Sequence, residues 1–451
     1  MEAASSLHDR DAHATVWDAA PMRAAILSTY PPRACGIGTF SFDVRSALLD
    51  VSGIEDVHPI AVVDEPSSPQ RPELLATVCQ GMRGDYVRTA RLLDRSDVDV
   101  VLLEHEFGIF GGQDGEYVLS FAQELVQPLV VTLHTVLSQP SPHQLGVLTA
   151  LCSRAERVTV MTDKARRLLI ELGASTGEKI RVVPHGAPVV LGHRRREHAA
   201  GRRPTYVAPG GYERTQSRFL LSTFGLLSAG KGLETAIEAL PLIVERHPEV
   251  MYVIAGRTHP QVARREGEQY RRMLERLVAD LGLGDHVAFD DRFLSLDELA
   301  DLLAATDVFL TPYRSREQIS SGSLTFAVAA GCAAVSTPYW YAEDMLASGA
   351  GRIVPFNAPQ ALAEAVCALA EQPDRLAMAR AEARRIGSQL AWPSVASATA
   401  SVLREAATRA PRRTRDPQIA FPPAEISHPV SGRATAASPR SRAPMPIELR
   451  I

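Results

Sequence analysis

The stretch RFLLSTFGLLSAGKGLETAIEALPLIVERHPEVMYVIAG (218–256) reads as a strand, a tight turn, a helix and a second strand. RFLLSTFG (218–225) and MYVIAG (251–256) are short apolar runs. Between them lie a turn holding Gly230, Lys231 and Gly232 and then a helical period. Short apolar runs between helical periods are the pattern of a parallel α/β sheet, whose strands are buried on both faces. Downstream the pattern repeats at HVAFD (286–290), DVFLTPY (307–313), AAVS (333–336) and RIV (352–354). Upstream an equivalent series runs through AAILS (24–28), VDVVLL (98–103), LVVTL (129–133), RVTVM (157–161) and IRVV (180–183).

The pattern breaks between the two series. Residues 187–216 include LGHRRREHAAGRRP, with five arginines from Arg194 to Arg203, and little in them is periodic. This stretch is expected to be a linker or exposed loop. The fold class is therefore α/β, with two Rossmann-like domains facing an interdomain cleft, and ligands are expected at the carboxyl ends of the strands. The expected organisation is a disordered tail over 1–21, a first Rossmann-like domain over 22–190, a linker over 191–216, a second Rossmann-like domain over 217–390, and a C-terminal helix over 391–410. A Pro/Arg-rich tail over 411–451 follows, with eight prolines and seven arginines against three acids, and is expected to be disordered.

Composition narrows the function classes. At 451 residues the chain has room for two or three domains of about 150 residues each. With 45% apolar and 22% charged residues it is neither disordered throughout, collagen-like nor a coiled coil. A net charge of −4 argues against a strongly basic nucleic-acid binder. The five cysteines (Cys35, Cys79, Cys152, Cys332, Cys367) are scattered, odd in number and without a CxxC pair, so neither a disulfide framework nor a cysteine-built zinc site is expected. The first residues carry acids and no apolar core of a secretory signal, and no run of about 20 apolar residues calls for a membrane span. A cytoplasmic setting is expected, with peripheral membrane contact left open.

The candidate chemistry lies at strand ends. Gly36 and Gly38 sit between the first strand and a helix opened near Thr39, where glycine admits close backbone approach and a helix N-terminus offers unpaired amides to an anion. A plain tight turn explains them equally well. In LLEHEFGIFGGQDGEYV, Glu104, His105 and Glu106 end a strand and are followed by Gly108, Gly111, Gly112 and Gly115, a loop able to hug a ligand or simply to turn. No second histidine stands at helical spacing, so a metal site is not expected there. His134 ends LVVTL and His185 follows VVP, each a cleft ligand or a satisfied core histidine. Lys231, between two glycines at a strand-to-helix junction, can neutralise a pyrophosphate, although the full P-loop pattern is absent. Arg257 and His259 occupy equivalent positions after the next strand. Glu317 precedes Ser320, Ser321, Gly322 and Ser323 at the mouth of an apolar helix, where small hydroxyls and glycine suit either a diphosphate or an ordinary N-cap.

In order, the segments YPPRACGIGTF, HEFGIFGG, VTLHT, VVPHG, FGLLSAGKGLETAIEAL, ATDVFLTPY, EQISSGSLTFAVAAG, and STPYWYAED through GRIVPF resemble the GT-B glycosyltransferases of family 4, the retaining group-1 type. The resemblance covers about residues 22–408. It implies a GT-B fold and transfer of a hexosyl group from a nucleotide-diphosphate sugar to a small-molecule, glycan or lipid-linked acceptor, with retention and without a metal cofactor. It places Gly36 and Gly38 in a glycine loop near the reacting sugar and His134 beside that sugar. It makes Lys231 the pyrophosphate lysine and Glu317 the first acid of an E-x₇-E motif that contacts the sugar's hydroxyls. Gly322, Ser323 and Leu324 fall at the helix-start amides that meet the diphosphate. With Lys231, Arg257 and Ser321 complete the expected donor set, Glu317 and His134 join Lys231 as the expected catalytic residues, and His105 and Glu106 are expected on the acceptor side.

Two positions depart from the family's pattern. Its usual arginine five residues before the lysine is Leu226 here, and its second acid falls on Thr325, or on Phe326 if the helix is aligned one residue later with Gln318 as the first position. One ribose contact and one cation are then missing unless Arg257, Arg314 or Arg316 supplies the charge. A nucleotide-sugar-binding protein of impaired activity and a sugar-nucleotide epimerase of the same architecture therefore stand as alternatives. An epimerase would form product from the donor alone, whereas a transferase needs an acceptor.

Overall fold

The structure, a computed structural model, describes residues 21–33, 35–65, 71–199, 207–208, 212–213 and 219–409. The expected terminal tails, residue 21 apart, lie outside the described residues. The first lobe runs β1 (Met22–Thr29), α1 (Gly36–Leu49), β2 (Ile54–Val63), β3 (Ala76–Cys79), α2 (Arg83–Leu93), β4 (Val100–His105), α3 (Val118–Glu124), β5 (Leu129–Leu133), α4 (Pro142–Arg154), β6 (Arg157–Val160), α5 (Asp163–Glu171) and β7 (Ile180–Val182). Then come α6 (Val189–Ala199) and a short antiparallel pair, β8 (Val207–Ala208) and β9 (Tyr212–Glu213). The second lobe runs β10 (Leu220–Phe224), α7 (Leu233–Arg246), β11 (Met251–Ala255), α8 (Pro260–Glu266), α9 (Gln269–Asp280), β12 (Val287–Asp290), α10 (Leu296–Ala305), β13 (Val308–Thr311), α11 (Gly322–Ala329), β14 (Ala333–Ser336), α12 (Trp340–Leu346) and β15 (Gly351–Ile353). The helices α13 (Pro359–Glu371), α14 (Pro373–Leu390) and α15 (Trp392–Arg409) follow.

The two large sheets are parallel throughout, in the orders β3-β2-β1-β4-β5-β6-β7 and β12-β11-β10-β13-β14-β15. In each, the first strand is central and the order reverses beside it, between β1 and β4 and between β10 and β13. Chain leaving the carboxyl ends of those strands diverges and opens a crevice. Gly36, Glu104–Glu106, Lys231 and Glu317 lie at or just beyond the carboxyl ends of β1, β4, β10 and β13, so topology alone sends these residues to one region.

Strand periodicity sorts the first lobe's core. Val100 and Leu102 of β4 and Val130 of β5 pack with Phe40, Trp392 and Val395, whereas Val101, Leu103, Val131 and Leu133 pack with Phe110 and Phe121 on the opposite face. Side chains alternate across a strand, so Glu104 continues the first face and His105 the second.

Three features differ from the sequence expectation. β2 and β3 were not anticipated, because IEDVHPIAVV is polar in its first half and carries a proline at its sixth residue, and ATVC is a four-residue edge strand. Nor is the expected linker a loop at its start, since α6 packs against the second lobe. Leu191 is fully buried there, and Arg195 one turn on is 7% exposed, donating to the carbonyls of Leu303, Ala304 and Thr306 at the end of α10. The arginine run hid the helix because one of its charges is the inward-facing residue, placed where a helix C-terminus attracts a cation. Finally, α15 returns to the first lobe. Where the two crossings meet, Ala187 N donates to Leu390 O at 2.7 Å and Ala187 O accepts from Trp392 N at 3.0 Å, and Glu405 binds Arg157 and Arg181 at 2.8 Å each.

Candidate functional site

On the second lobe, β10 ends at Phe224 and the chain turns through Ala229–Lys231 into α7. Gly232 makes that turn in the left-handed region (φ 59°), and a Cβ there would stand 2.2 Å from the Pro312 carbonyl oxygen. Only glycine fits, and the fit brings Lys231 against the chain leaving β13. Lys231 Nζ donates to Tyr313 Oη at 2.6 Å and lies 4.2 Å from that ring's centroid. Tyr313, stacked on Tyr339, also bonds Ser323 Oγ at 2.5 Å. Burial pushes the Tyr313 phenol up, but the Lys231 ammonium and the hydrogen bonds from Lys231, Ser323 and Ser321 outweigh it and leave its pKa below the ordinary value.

Ser323 stands in the first turn of α11. Ser321 caps that helix, its Oγ accepting the Leu324 amide at 3.3 Å. Leu324, expected among the diphosphate contacts, therefore spends its N–H on the cap, and its side chain is fully buried. The amides of Gly322 and Ser323, at the two positions before it, belong to the turn whose N–H groups lack intrahelical acceptors. A lysine ammonium and a helix N-terminus thus share one spot, the arrangement a diphosphate needs.

The positions where the family's acid and arginine are missing are equally explicit. Thr325 is fully buried and turned inward, donating to the Ser321 carbonyl at 2.8 Å and bonding Tyr341 Oη at 2.5 Å. Phe326 packs towards Phe224 and His185. Leu226, Arg257, Gly225, Gly256 and Phe293 line one open recess of about 330 Å³ at the ends of β10 and β11. Of the three arginines able to supply the absent charge, Arg314 pairs with Glu234 and Arg316 lies 3.7 Å from Glu343. Arg257 instead donates to the Asp291 carbonyl at 3.2 Å and lies over Phe293, with no carboxylate of the described residues neutralising it.

On the first lobe, His134 follows β5 and its Nε2 lies 2.8 Å from Glu104 Oε2, both side chains buried. Phe40 stands edge-on to His134 at 4.9 Å and equally close to His185. Glu106 accepts the Thr135 hydroxyl. His105, expected beside Glu106 on the acceptor side, does not join them. It points to the opposite face, fully buried between Phe107 and Phe110, with neither ring nitrogen hydrogen-bonded among the described residues. Burial first, and the neighbouring His134 second, push its pKa down to about 3. Gly36 and Gly38 lie inside the first turn of α1 rather than in a loop before it. A Cβ on Gly38 would approach the Tyr30 backbone at 3.4 Å, while Gly36 has nothing within 4 Å.

The lobes meet over this site. Glu317 accepts the Ser138 amide at 3.4 Å and its hydroxyl as well, and Ser320 Oγ donates to the His134 carbonyl at 3.3 Å. Sequence reasoning passed over Ser138, Tyr313 and the partnership of Glu104 with His134. All three follow apolar strand runs closely, which was the available signal. Among the described residues, no three His, Cys, Asp or Glu side chains converge in a way that could hold a metal ion, and no helix is long and apolar enough to cross a membrane. The five cysteines are free.

Known proteins can be set beside this geometry. The family model for glycosyl transferases group 1 matches residues 213–386, and that for Glycosyltransferase Family 4 matches residues 46–190. A search of curated proteins finds no match. Among solved structures, the chain is similar to Anabaena HepE in complex with UDP (17% identity, 85% of this chain and 100% of that one, TM-score 0.63). It is also similar to a sucrose-phosphate synthase from Thermosynechococcus elongatus (18% identity, 85% and 98%, TM-score 0.66) and to a UDP-forming α,α-trehalose-phosphate synthase from Burkholderia xenovorans (16% identity, 86% and 99%, TM-score 0.63). At these identities the structural likeness speaks for the fold, while the two family models, one on each lobe, speak for the chemistry. The chain belongs to the GT-B glycosyltransferases of group 1.

Proposed function

We propose that the protein transfers a hexosyl group from a nucleoside-diphosphate sugar to an acceptor bound by the first lobe, with retention at the anomeric carbon. The observation that carries this reading is the hydrogen-bonded chain Lys231–Tyr313–Ser323, which joins a lysine ammonium to the start of α11. In such a transfer the nucleoside diphosphate leaves from an oxocarbenium-like carbon. Prepositioned cations and amide dipoles in a closed cleft stabilise the departing charge. Lys231 and the Gly322 and Ser323 amides face the diphosphate, with Ser321 shaping the helix start, and Arg257 provides the second cation that Leu226 does not. Glu317, on exchanging Ser138 for the donor, receives the sugar's hydroxyls, and His134 meets the sugar from the other lobe. Gly36 and Gly38 let the α1 backbone approach the same ring. The departing phosphate accepts the acceptor's proton, so no protein nucleophile and no resident metal is called for. Glu106 and the loops 104–116 and 134–145 face the acceptor. HepE was solved with UDP, which supports a nucleotide donor for this fold.

A second reading, tight binding of a sugar nucleotide without turnover, draws on Thr325, whose hydroxyl is committed inside the protein. One experiment addresses both. Thermal unfolding is followed with UDP, GDP and their hexose conjugates, and the stabilising donor is then incubated with a panel of acceptors. A ligand at about 100 times its Kd adds about 2.7 kcal/mol to stability. Stabilisation plus acceptor-dependent product of retained configuration is expected. Stabilisation without product favours the binder, product from donor alone favours an epimerase, and no stabilisation by any nucleotide overturns the proposal.

A further inference from the structure

Glu104 is a carboxylate in an otherwise apolar run, VVLLE (100–104), and is 1% exposed. A buried carboxylate destabilises a fold unless its oxygens are hydrogen-bonded. Here Oε2 meets His134 Nε2 at 2.8 Å, while Oε1 has no hydrogen-bond partner among the described residues. Packing therefore gives no reason for the acid, since an apolar side chain would suit the strand better. What Glu104 does accomplish is to hold one imidazole. It pairs in register with Thr132, and His134 lies two residues further along β5's path on the same face, its amide bonded to the His105 carbonyl at 3.0 Å. Phe40 stands against the ring, and Ser320 ties the His134 carbonyl to the segment that enters α11.

The chemistry follows from donor and acceptor roles. A carboxylate only accepts, so in this contact His134 Nε2 is the donor, and in the tautomer that carries its proton there Nδ1 is the lone pair. The neighbouring His185 is held the other way round. Its Nδ1 lies 2.7 Å from the Gly186 carbonyl oxygen and donates to it, so Nε2 is the lone pair, 3.4 Å from where a Cβ on Gly322 would stand. The contacts of the two imidazoles flanking Phe40 thus favour opposite tautomers at the mouth of α11.

We infer that Glu104 is a positioning residue that holds His134 in its Nε2–H form, so that Nδ1 accepts a hydrogen bond from a hydroxyl of the transferred hexose. This rests on the hexosyl-transfer reading above. A sugar hydroxyl is a donor that a lone pair can orient, and a ring free to exchange tautomers would part of the time present a competing N–H.

The test uses the full chain with ¹⁵N-labelled histidine, the His134 signals being assigned by their loss in His134→Asn. In the wild type at neutral pH, Nε2 of His134 is expected to be protonated and Nδ1 not. Glu104→Gln, whose amide can donate as well as accept, is expected to populate the other tautomer. It should also lower kcat on the order of 100-fold, the cost of misplacing one reacting contact. The donor KM should change by less than about threefold, since ground-state binding is carried elsewhere. Glu104→Asp should keep the wild-type tautomer and recover part of kcat. A wild-type ring protonated on Nδ1, alone or together with Nε2, overturns the inference, and so does a folded Glu104→Gln with wild-type kcat. The tautomer is read on unmodified protein, so it decides the question even where a variant fails to fold. If the wild type turns over no donor, the transfer reading falls while the tautomer is still measured.

Discussion

Lys231→Ala separates the proposed role of the ammonium from its structural one. In the ligand-free protein Nζ makes one hydrogen bond to Tyr313 Oη and lies over its ring. Their loss costs about 1.5–2 kcal/mol together, at roughly 1 for the hydrogen bond and 0.5–1 for the cation–π contact. Tyr313 keeps Ser323 as a partner at 2.5 Å, so no buried hydroxyl is orphaned and the fold survives. At about 2–4 °C per kcal/mol for a domain of this size, melting should fall by a few degrees. Binding should fall further. A hydrogen bond to a charged group contributes about 1.5–3 kcal/mol, which weakens nucleoside-diphosphate affinity about 10- to 100-fold when removed. The departing charge is larger than the ground-state charge at the same oxygens, so kcat should drop by a further factor of about 10²–10³. Calorimetric titration with UDP and GDP measures the first quantity, and single-turnover transfer with the accepted donor measures the second. Lys231→Arg, which keeps the charge but not its compact shape, should fall between. A Lys231→Ala protein that binds both nucleotides with wild-type affinity and transfers at the wild-type rate refutes the reasoning, because no other step in it can compensate.

Three further outcomes follow from particular glycines and arginines, and a fourth from pH. Gly232→Ala should cost at least about 1–2 kcal/mol from the left-handed backbone, plus the displacement forced by the Pro312 carbonyl at 2.2 Å, and should weaken nucleotide binding by moving Lys231; calorimetric titration checks it. Gly36→Ala has nothing within 4 Å, so it should melt like the wild type yet bind the donor sugar more weakly; equal donor affinity would remove Gly36 from the site. Arg257→Ala should weaken diphosphate binding by about 10-fold or more, and adding Leu226→Arg should restore it from across the same recess; binding indifferent to both would leave the recess without a phosphate role. In the acid range, His105 has a folded pKa near 3, below its ordinary value of about 6.5, so its contribution is complete above about 6.5 and is lost as pH falls towards 3. At about 1.4 kcal/mol per pH unit the loss reaches about 2 kcal/mol at pH 5. Burial raises the Asp43 carboxyl to about 7, and that group acts in the opposite sense, favouring the fold below neutrality and losing its contribution as pH rises from about 4 to 7. Urea unfolding at pH 7 and pH 5 should therefore show a smaller acid loss in His105→Leu than in the wild type, and equal losses would contradict the burial argument.

Much of this architecture was readable from local patterning. A parallel strand buried on both faces must be an apolar run, and a helix covering it must repeat every three to four residues. LVVTL, MYVIAG and DVFLTPY follow the first rule with a threonine or a terminal aspartate as the only polar interruptions, and strands are found there. β2 escaped because its early residues are polar where the sheet edge leaves room for them. α6 escaped for a different reason, since its inward residue is an arginine whose partners are carbonyls supplied by α10, more than a hundred positions away.

The site divides along the same line. The residues at its strand ends were foreseeable because topology collects the ends of central strands, and short-range spacing already placed Lys231, His134 and Glu317 there. Which way those side chains face was not foreseeable. His105 and Glu106 are adjacent in sequence, yet one lies sealed under Phe110 and the other binds Thr135, because strand alternation sends neighbours to opposite faces and only packing says which face is the cleft. Likewise Ser138 reaches Glu317, and Glu104 reaches His134, through folding of the chain rather than through proximity along it. Amino-acid order determines local conformation through interactions a few residues long. The pairing of donors, acceptors and charges at this site depends on distances that exist only once two sheets have formed and closed on each other.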